Sequence, residues 1–207
     1  SVGGGVVIYS AGVVTINNGV ISENTSSTSG GGISTQAEEL IINNTTISNN
    51  TSGRLYVSGG GGGAGISITY GKVTLNNSSI VNNNMLGFFN GSGIYHTSED
   101  ELIVNNSTIV GNSGAVGVYQ AGYGGGITFH NSIVANNTPL DITAAYGLIN
   151  TSDHNLIGVD PKLSPSPIGS LGFYFLLPNS PAINAGNPAT CLLTDQRGVA
   201  RPQGAVC

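Results

Sequence analysis

Charge is the scarcest commodity in this chain. Asp, Glu, Lys and Arg make up 7% of its 207 residues, against about 25% in an ordinary globular protein. Five Lys plus Arg in a chain of net charge −5 cannot neutralise a row of phosphates, which excludes a nucleic-acid binder. So small a net charge also excludes disorder driven by self-repulsion. Glu, Lys, Arg and Ala are too few, and Gly too frequent, for a long helix or coiled coil. Tryptophan is absent and aromatics amount to 6%, so burial must come from aliphatic side chains. No run of about 18 apolar residues exists, so a transmembrane helix is not expected. Nor does a charged-then-apolar leader open the sequence; for an exported protein it would have been removed or would lie outside these residues.

What is present is repetitive. Glycine accounts for 33 residues, and 20 of the 24 Asn precede Thr151. One phrase recurs as INNGVISEN from Ile16, INNTTISNN from Ile42, LNNSSIVNN from Leu75 and VNNSTIVGN from Val104, with a fifth copy, FHNSIVANN, from Phe129. Ahead of each copy a Gly run meets a β-branched residue, at Gly5-Val6, Gly32-Ile33, Gly65-Ile66, Gly93-Ile94 and Gly126-Ile127. Successive steps between Asn18, Asn44, Asn77, Asn106 and Asn131 are 26, 33, 29 and 25 residues. Constant phrases with variable spacers select a solenoid, because a spacer can bulge as a loop while the phrase holds its place on each turn. Within the phrases the apolar positions alternate at a spacing of two on either side of the Asn pair, and Val and Ile predominate. Each side therefore reads as a short strand and Asn-Asn as a corner.

These patterns predict an all-β fold, a parallel β-helix of about five coils occupying residues 1–150, with identical side chains stacked inside it. From about Asp153 the Asn phrase stops, both Cys appear, and six of the eight Pro fall between Pro161 and Pro188. Residues 151–207 are expected to form an irregular capping region over the last coil, since the end of a β-helix is an exposed sheet edge. The spacers of the middle coils carry apolar pairs. Leu55, Val57, Met85, Phe88, Val116 and Val118 are expected to complete the coil's remaining side; alternatively Tyr56, Phe89 and Tyr119 form an outward stripe for a partner.

The repeats resemble, over about residues 3–137, the Gly-Gly-Ile and Phe/Ile-x-x-Asn units of right-handed β-helix repeat proteins, including polymorphic outer-membrane protein repeats. The tail phrases NLIGVDPKL from Asn155, LLPNSPAINAG from Leu176 and TDQRGVARPQGAVC from Thr194 resemble the C-terminal end of surface-exported β-helix proteins of the choice-of-anchor Q type. That resemblance implies a right-handed coil, export, an extracellular or cell-surface location and a sorting or anchoring tail beyond Cys207. It implies no single activity. GFYFLL at Gly172 departs from the more polar stretch usual there, so something is expected to pack on Phe173 and Phe175.

Two Cys in such a chain fit one disulfide, Cys191–Cys207, closing a loop around the Asp-Gln-Arg-Gly phrase. Within that loop Asp195 and Arg197 read as a structural ion pair, because no His, Ser or second carboxylate nearby completes a mechanism. Aligned on the Asn corners, Glu39, Lys72 and Glu101 fall at one position, which predicts an acid-base-acid ladder on the surface; a calcium site from Glu99, Asp100 and Glu101 is the functional alternative. The stacked Asn of the corners are expected to bond up and down the rod, so that sequons inside the column carry no glycan, whereas Asn90 or Asn150 could. His96, His130 and His154 lack metal-ligand spacing, and no cofactor is expected.

Parallel β-helices often carry polysaccharide-active sites, yet Arg54 and Lys72 are the repeat region's basic residues, and no strand holds an Asp pair. A non-catalytic role follows as the expectation: an extracellular building block that self-associates head to tail through an uncapped first coil, with Tyr56, Phe89, Tyr119, Phe173 and Phe175 as contacts. An adhesin segment binding glycans or other cells is the alternative.

Overall fold

The computed structural model describes residues 3–53, 62–86, 91–202, 204 and 206–207. Its strands are all parallel and wind as a solenoid with three long sides. The first side stacks Val6, Ile33, Ile66, Ile94, Val118 and Ile142 in register. The second stacks Ile16, Ile42, Leu75, Val104 and Phe129. The third stacks Ile21, Ile47, Ile80, Ile109, Val134 and Ile157. Thr25–Ser26, Thr51–Ser52 and Asn84–Met85 form a short fourth side. Six strands at about 4.8 Å make a rod roughly 24 Å tall.

Alternation at period two decides which residues enter the rod. Ile42 and Leu40 are completely buried while Ile41 between them is not, and Leu75 and Val73 repeat the arrangement around Thr74. The interior is thus a set of aliphatic columns, and one continuous core runs from Ile8 to Val134. Glycine marks where coils approach too closely for a side chain: a Cβ on Gly65 would stand 2.5 Å from the carbonyl oxygen of Gly93, and one on Gly93 2.7 Å from that of Gly117. This glycine column corrects one expected alignment. The fifth turn enters its first side at Gly117-Val118, not at Gly126-Ile127, and Ile127 instead lies on the second side beside Leu102.

The solenoid also continues beyond residue 150. Ile149–Asp153 and Leu156–Ile157 pair with Ile127–His130 and Ile133–Ala135, giving a partial further turn. Its corner is Asp153-His154, with His154 at φ 52°, in the place where earlier coils carry Asn-Asn.

The remaining C-terminal segment does not sit on the end of the rod. It lies along the third side and contacts turn after turn. Asn131 bonds Asn187, Asn106 bonds Leu192, Asn77 bonds Arg201, and Thr46 bonds both Leu171 and Gln196. Val81, Val110 and Ala135, facing outward from the third side, are buried under it, with the partly buried Ile133 and the segment's own Leu163 and Tyr174 packed against them. Apolar surface on that flank draws the segment sideways. Along Val6–Asn17, Val7, Tyr9 and Val13 are exposed.

Candidate functional site

The corner asparagines lie in one column. Asn18, Asn44, Asn77, Asn106 and Asn131 have φ between 47° and 53°, the left-handed region that Asn tolerates better than other side-chain-bearing residues. Each donates its backbone N–H to the next rung, Asn18 to Asn43 and Asn77 to Asn105 among them. Their side chains, however, form a single amide-to-amide link, Asn44 Nδ2 to Asn18 Oδ1 at 3.2 Å. Higher up the rod they hold the C-terminal segment. Asn77 Oδ1 accepts from Arg201 Nη1 at 2.7 Å, Asn106 Oδ1 from the Leu192 N–H at 3.3 Å, and Asn131 Oδ1 from the Asn187 N–H at 2.6 Å.

Continuous amide ladders occur in two neighbouring columns instead. One links Asn17, Asn43, Asn76 and Asn105. The other, largely buried, links Asn24, Asn50, Asn83, Asn112 and Asn137 and ends on Asp141. A hydroxyl column accompanies them, in which the backbone N–H groups of Thr45, Ser78 and Ser107 donate to Ser78, Ser107 and Ser132 of the next turn. The buried ladder was present in the repeat phrases as their final Asn, six residues after the corner in every copy. That constant offset was the signal for it.

Cys191 and Cys207 form a disulfide with Cα atoms 5.8 Å apart. Asp195 pairs with Arg197, whose Nε donates to Oδ2 at 2.6 Å, and the guanidinium lies 5.7 and 5.2 Å from the ring centroids of Phe173 and Phe175. Burial pushes the Asp195 carboxyl up, but the Arg197 hydrogen bond and the N–H groups of Val199 and Arg197 prevail and hold it below its ordinary value. Glu39 and Lys72 share a register, yet among the described residues no ion pair closes between them. Glu101 accepts from Thr128 at 2.6 Å instead. The expected charge ladder is therefore a stack without bonds, because strand register fixes backbones and leaves exposed side chains free. Among the described residues no His, Cys, Asp and Glu cluster could hold a metal.

Of the proposed contact residues, Tyr56 and Phe89 lie outside the described residues, as do Arg54, Leu55, Val57, Phe88 and Asn90. Tyr119 stacks on Tyr95 at 5.9 Å. Phe173 and Phe175 pack edge to face at 5.3 Å under Arg197. Val118 stands on the first side, and Met85 is buried with Ala64 and Ala115.

Two histidines meet at Asp153. His130 Nδ1 lies 2.7 Å and His154 Nδ1 3.3 Å from its carboxylate, which also accepts from Thr190 and Asn187 at 2.6 Å. The Thr190 and Asn187 bonds, ahead of those from the histidines, hold Asp153 far below the usual carboxylate range. His96 is fully buried against Gln120, and its Nε2 has no partner.

Between the third side and the C-terminal segment lies a cleft of about 480 Å³, lined by Asn77, Ser79 and Thr108 from the rod and by Phe175, Gln196 and Arg201 from the segment. Arg201 bonds Asn77 Oδ1 and the Thr194 carbonyl through Nη1. Among the described residues its Nε and Nη2 have no partner, and no carboxylate lies within ion-pair distance. Asn77 Nδ2 is likewise unbonded there. The acceptors are occupied: Asn77 Oδ1 by Arg201, Asn106 Oδ1 by Leu192 and Gln196 Oε1 by Ser79. The cleft is thus rich in unbonded donors; its carboxylate, Asp195, acts on Arg201 from beyond ion-pair distance and is itself bonded to Arg197.

No curated protein and no solved structure matches the chain. The family model described as "Right handed beta helix region" matches residues 1–138, the span that holds every complete turn of the rod. The chain belongs to the right-handed β-helix family.

Proposed function

We propose that this chain is a non-catalytic recognition rod displayed at a cell surface, a segment of adhesin type that takes an acidic saccharide in the cleft between rod and C-terminal segment. The single observation that carries the reading is the cleft's donor surplus: Arg201 with unbonded Nε and Nη2 beside the free Nδ2 of Asn77. Such a site is completed by an acceptor-rich anionic group, since the counter-charge that acts on Arg201, Asp195, is already hydrogen-bonded to Arg197 and leaves Arg201 Nε and Nη2 unbonded. Hydroxyl and amide groups with an aromatic flank suit a sugar ring. Display at the surface is supported by the resemblance of the tail phrases to choice-of-anchor Q proteins and by the disulfide, which belongs to oxidising compartments. Absence of catalysis is supported by the engagement of the two most strongly bonded carboxylates, Asp153 and Asp195, by neighbouring donors.

The test is a titration followed by NMR, with glucuronate against glucose. Saturable shifts around Arg201 with the acid alone, lost in Arg201→Gln, are the expected result. Equal response to both sugars, or binding that survives Arg201→Gln, overturns the reading. A self-associating fibre block is the second reading, favoured by the exposed apolar side chains of Val7, Tyr9 and Val13. Concentration-dependent filaments in sedimentation and electron microscopy would support it.

A further inference from the structure

The corner that joins the first side of the rod to the second carries an exposed tyrosine pair. In the fifth turn this corner is residues 121–126 and in the partial sixth turn residues 145–148, and the two are stacked, with the Ala145 N–H donating to Gln120 O. Tyr123 and Tyr146 lie face to face there, their ring centroids 4.0 Å apart and their planes 24° from parallel. Tyr123 is 78% exposed and Tyr146 48%. Neither ring belongs to the core of the rod or lines the cleft beside the C-terminal segment. A stack so open to solvent buries little apolar surface, so packing alone is a weak account of it.

The backbone beneath holds the pair in place. Gln120 is completely buried, and its Nε2 donates to the carbonyls of Gly122 and Gly125, which flank Tyr123. Gly147, next to Tyr146, has φ 76°, and a Cβ there would stand 2.7 Å from the same Nε2. One buried amide thus sets the first loop, and the second closes over it. The hydroxyl groups meet as well: the hydrogen bond with Tyr146 is the foremost reason that the Tyr123 phenol is held above its ordinary value. With hydroxyl beside hydroxyl and the rings nearly parallel, the carbons ortho to the two hydroxyls fall on the same side of the stack. Those carbons carry much of the unpaired electron of a phenoxyl radical, and holding two of them together replaces a slow encounter between molecules by a step within one.

We propose that Tyr123 and Tyr146 are an oxidative cross-linking site, a pair that hydrogen peroxide and a one-electron peroxidase join into an intramolecular dityrosine. Each phenol gives up one electron and one proton. The two radicals form a carbon–carbon bond between ortho positions, and each ortho hydrogen then moves to its oxygen, which restores both hydroxyls. One hydrogen peroxide takes up the two electrons and two protons, its O–O bond breaks, and two waters leave. The new bond ties the fifth turn to the partial sixth. The oxidising setting it needs is the one in which the Cys191–Cys207 disulfide persists, and the saccharide cleft plays no part in it. Tyr95 and Tyr119 provide a comparison within the same chain, since they stack at 5.9 Å and are half-buried.

The test treats the dilute chain with hydrogen peroxide and a haem peroxidase, then denatures it and cuts after Asp and Glu. The cut after Asp141 separates the peptide that holds Tyr123 from the one that holds Tyr146. The expected product is these two peptides joined, lighter than their sum by two hydrogens, with dityrosine fluorescence appearing at a rate independent of protein concentration. Tyr123→Phe, which keeps the ring and removes the hydroxyl, is expected to lose the joined peptides and most of the fluorescence, whereas Tyr119→Phe keeps both. Joined peptides that survive Tyr123→Phe, links formed only between molecules, or no link at all overturn the proposal.

Discussion

Asn83 holds two turns of the rod at once. Its Oδ1 accepts the N–H and Nδ2 of Asn50, and its Nδ2 donates to Ile47 O and Asn112 Oδ1, all in a fully buried site. Asn83→Ala orphans the Asn50 N–H and one Asn50 Nδ2 hydrogen and removes a donor from Ile47 O, while Asn112 Oδ1 keeps the backbone N–H of residue 83. At about 1–3 kcal/mol for each buried orphan, a loss of at least about 2 kcal/mol is expected, measured as a fall in the urea midpoint. Asn131→Ala, in the half-exposed corner column, should cost far less of the rod's stability and should chiefly loosen Asn187 and Thr190. His96 predicts a pH dependence. Burial lowers its imidazole below the ordinary value of about 6.5, with the Gln120 bond and Asp100 opposing. Because the folded value is the lower one, the unfolded chain takes up the proton first, and stability present above pH 6.5 is lost as pH falls through that value. Urea midpoints at pH 7.5 and 5.5 should therefore differ in the wild type more than in His96→Gln. At this scale the corner was legible, because Asn-Asn breaks a period-two pattern. Which Asn of each phrase bonds its neighbours was not. That depends on whether a side chain points into the rod or out of it, and a left-handed backbone at the corner rotates the expected amides outward toward the C-terminal segment.

As an element, the C-terminal segment behaves as a strap rather than a lid. Its apolar anchors, Leu163 and Tyr174, cover Val81, Val110 and Ala135, while Ser22 and Ser48 occupy the matching positions of the first two turns. That switch from Ser to Val was the sequence's sign that the third side becomes a covered flank. The need to protect an edge pointed to the end of the rod instead, because composition reveals that a cover exists without revealing what it touches. Reduction of Cys191–Cys207, whose loop spans a sequence separation of 16, removes a constraint worth about 3 kcal/mol in the chain-entropy picture. In Cys191→Ser/Cys207→Ser, limited proteolysis is expected to cut within 186–207 first and to leave Lys72–Asn76 and Leu102–Asn105 intact. Simultaneous loss of rod and strap would contradict that order.

For the whole molecule, stability is a sum over neighbouring turns, so position along the axis sets local protection. Among the described residues strand Val6–Asn17 pairs on one side, whereas Lys72–Asn76 and Leu102–Asn105 pair on both. Amide hydrogen exchange should be fastest in Val6–Asn17 and slowest in those two strands, and uniform exchange would contradict a rod held together rung by rung. The repeat architecture was readable from five Asn-centred phrases because each stacked turn must present the same side chain to the same neighbours. The partial turn at Asp153-His154 was hidden because its corner residues are chemically unlike the five before it.

A solenoid made only of neighbouring rungs can fray from either end without the middle registering it. Here residues 171–201, synthesised after the rod, clasp turns made much earlier, reaching back as far as Thr46. Until they arrive, each rung answers only to those beside it; afterwards the second turn cannot lift away without dislodging the same strand of chain that grips the fifth. The strap thus converts a stack of separable layers into one cooperative body, and a chain lacking it would keep its shape while losing its all-or-none character.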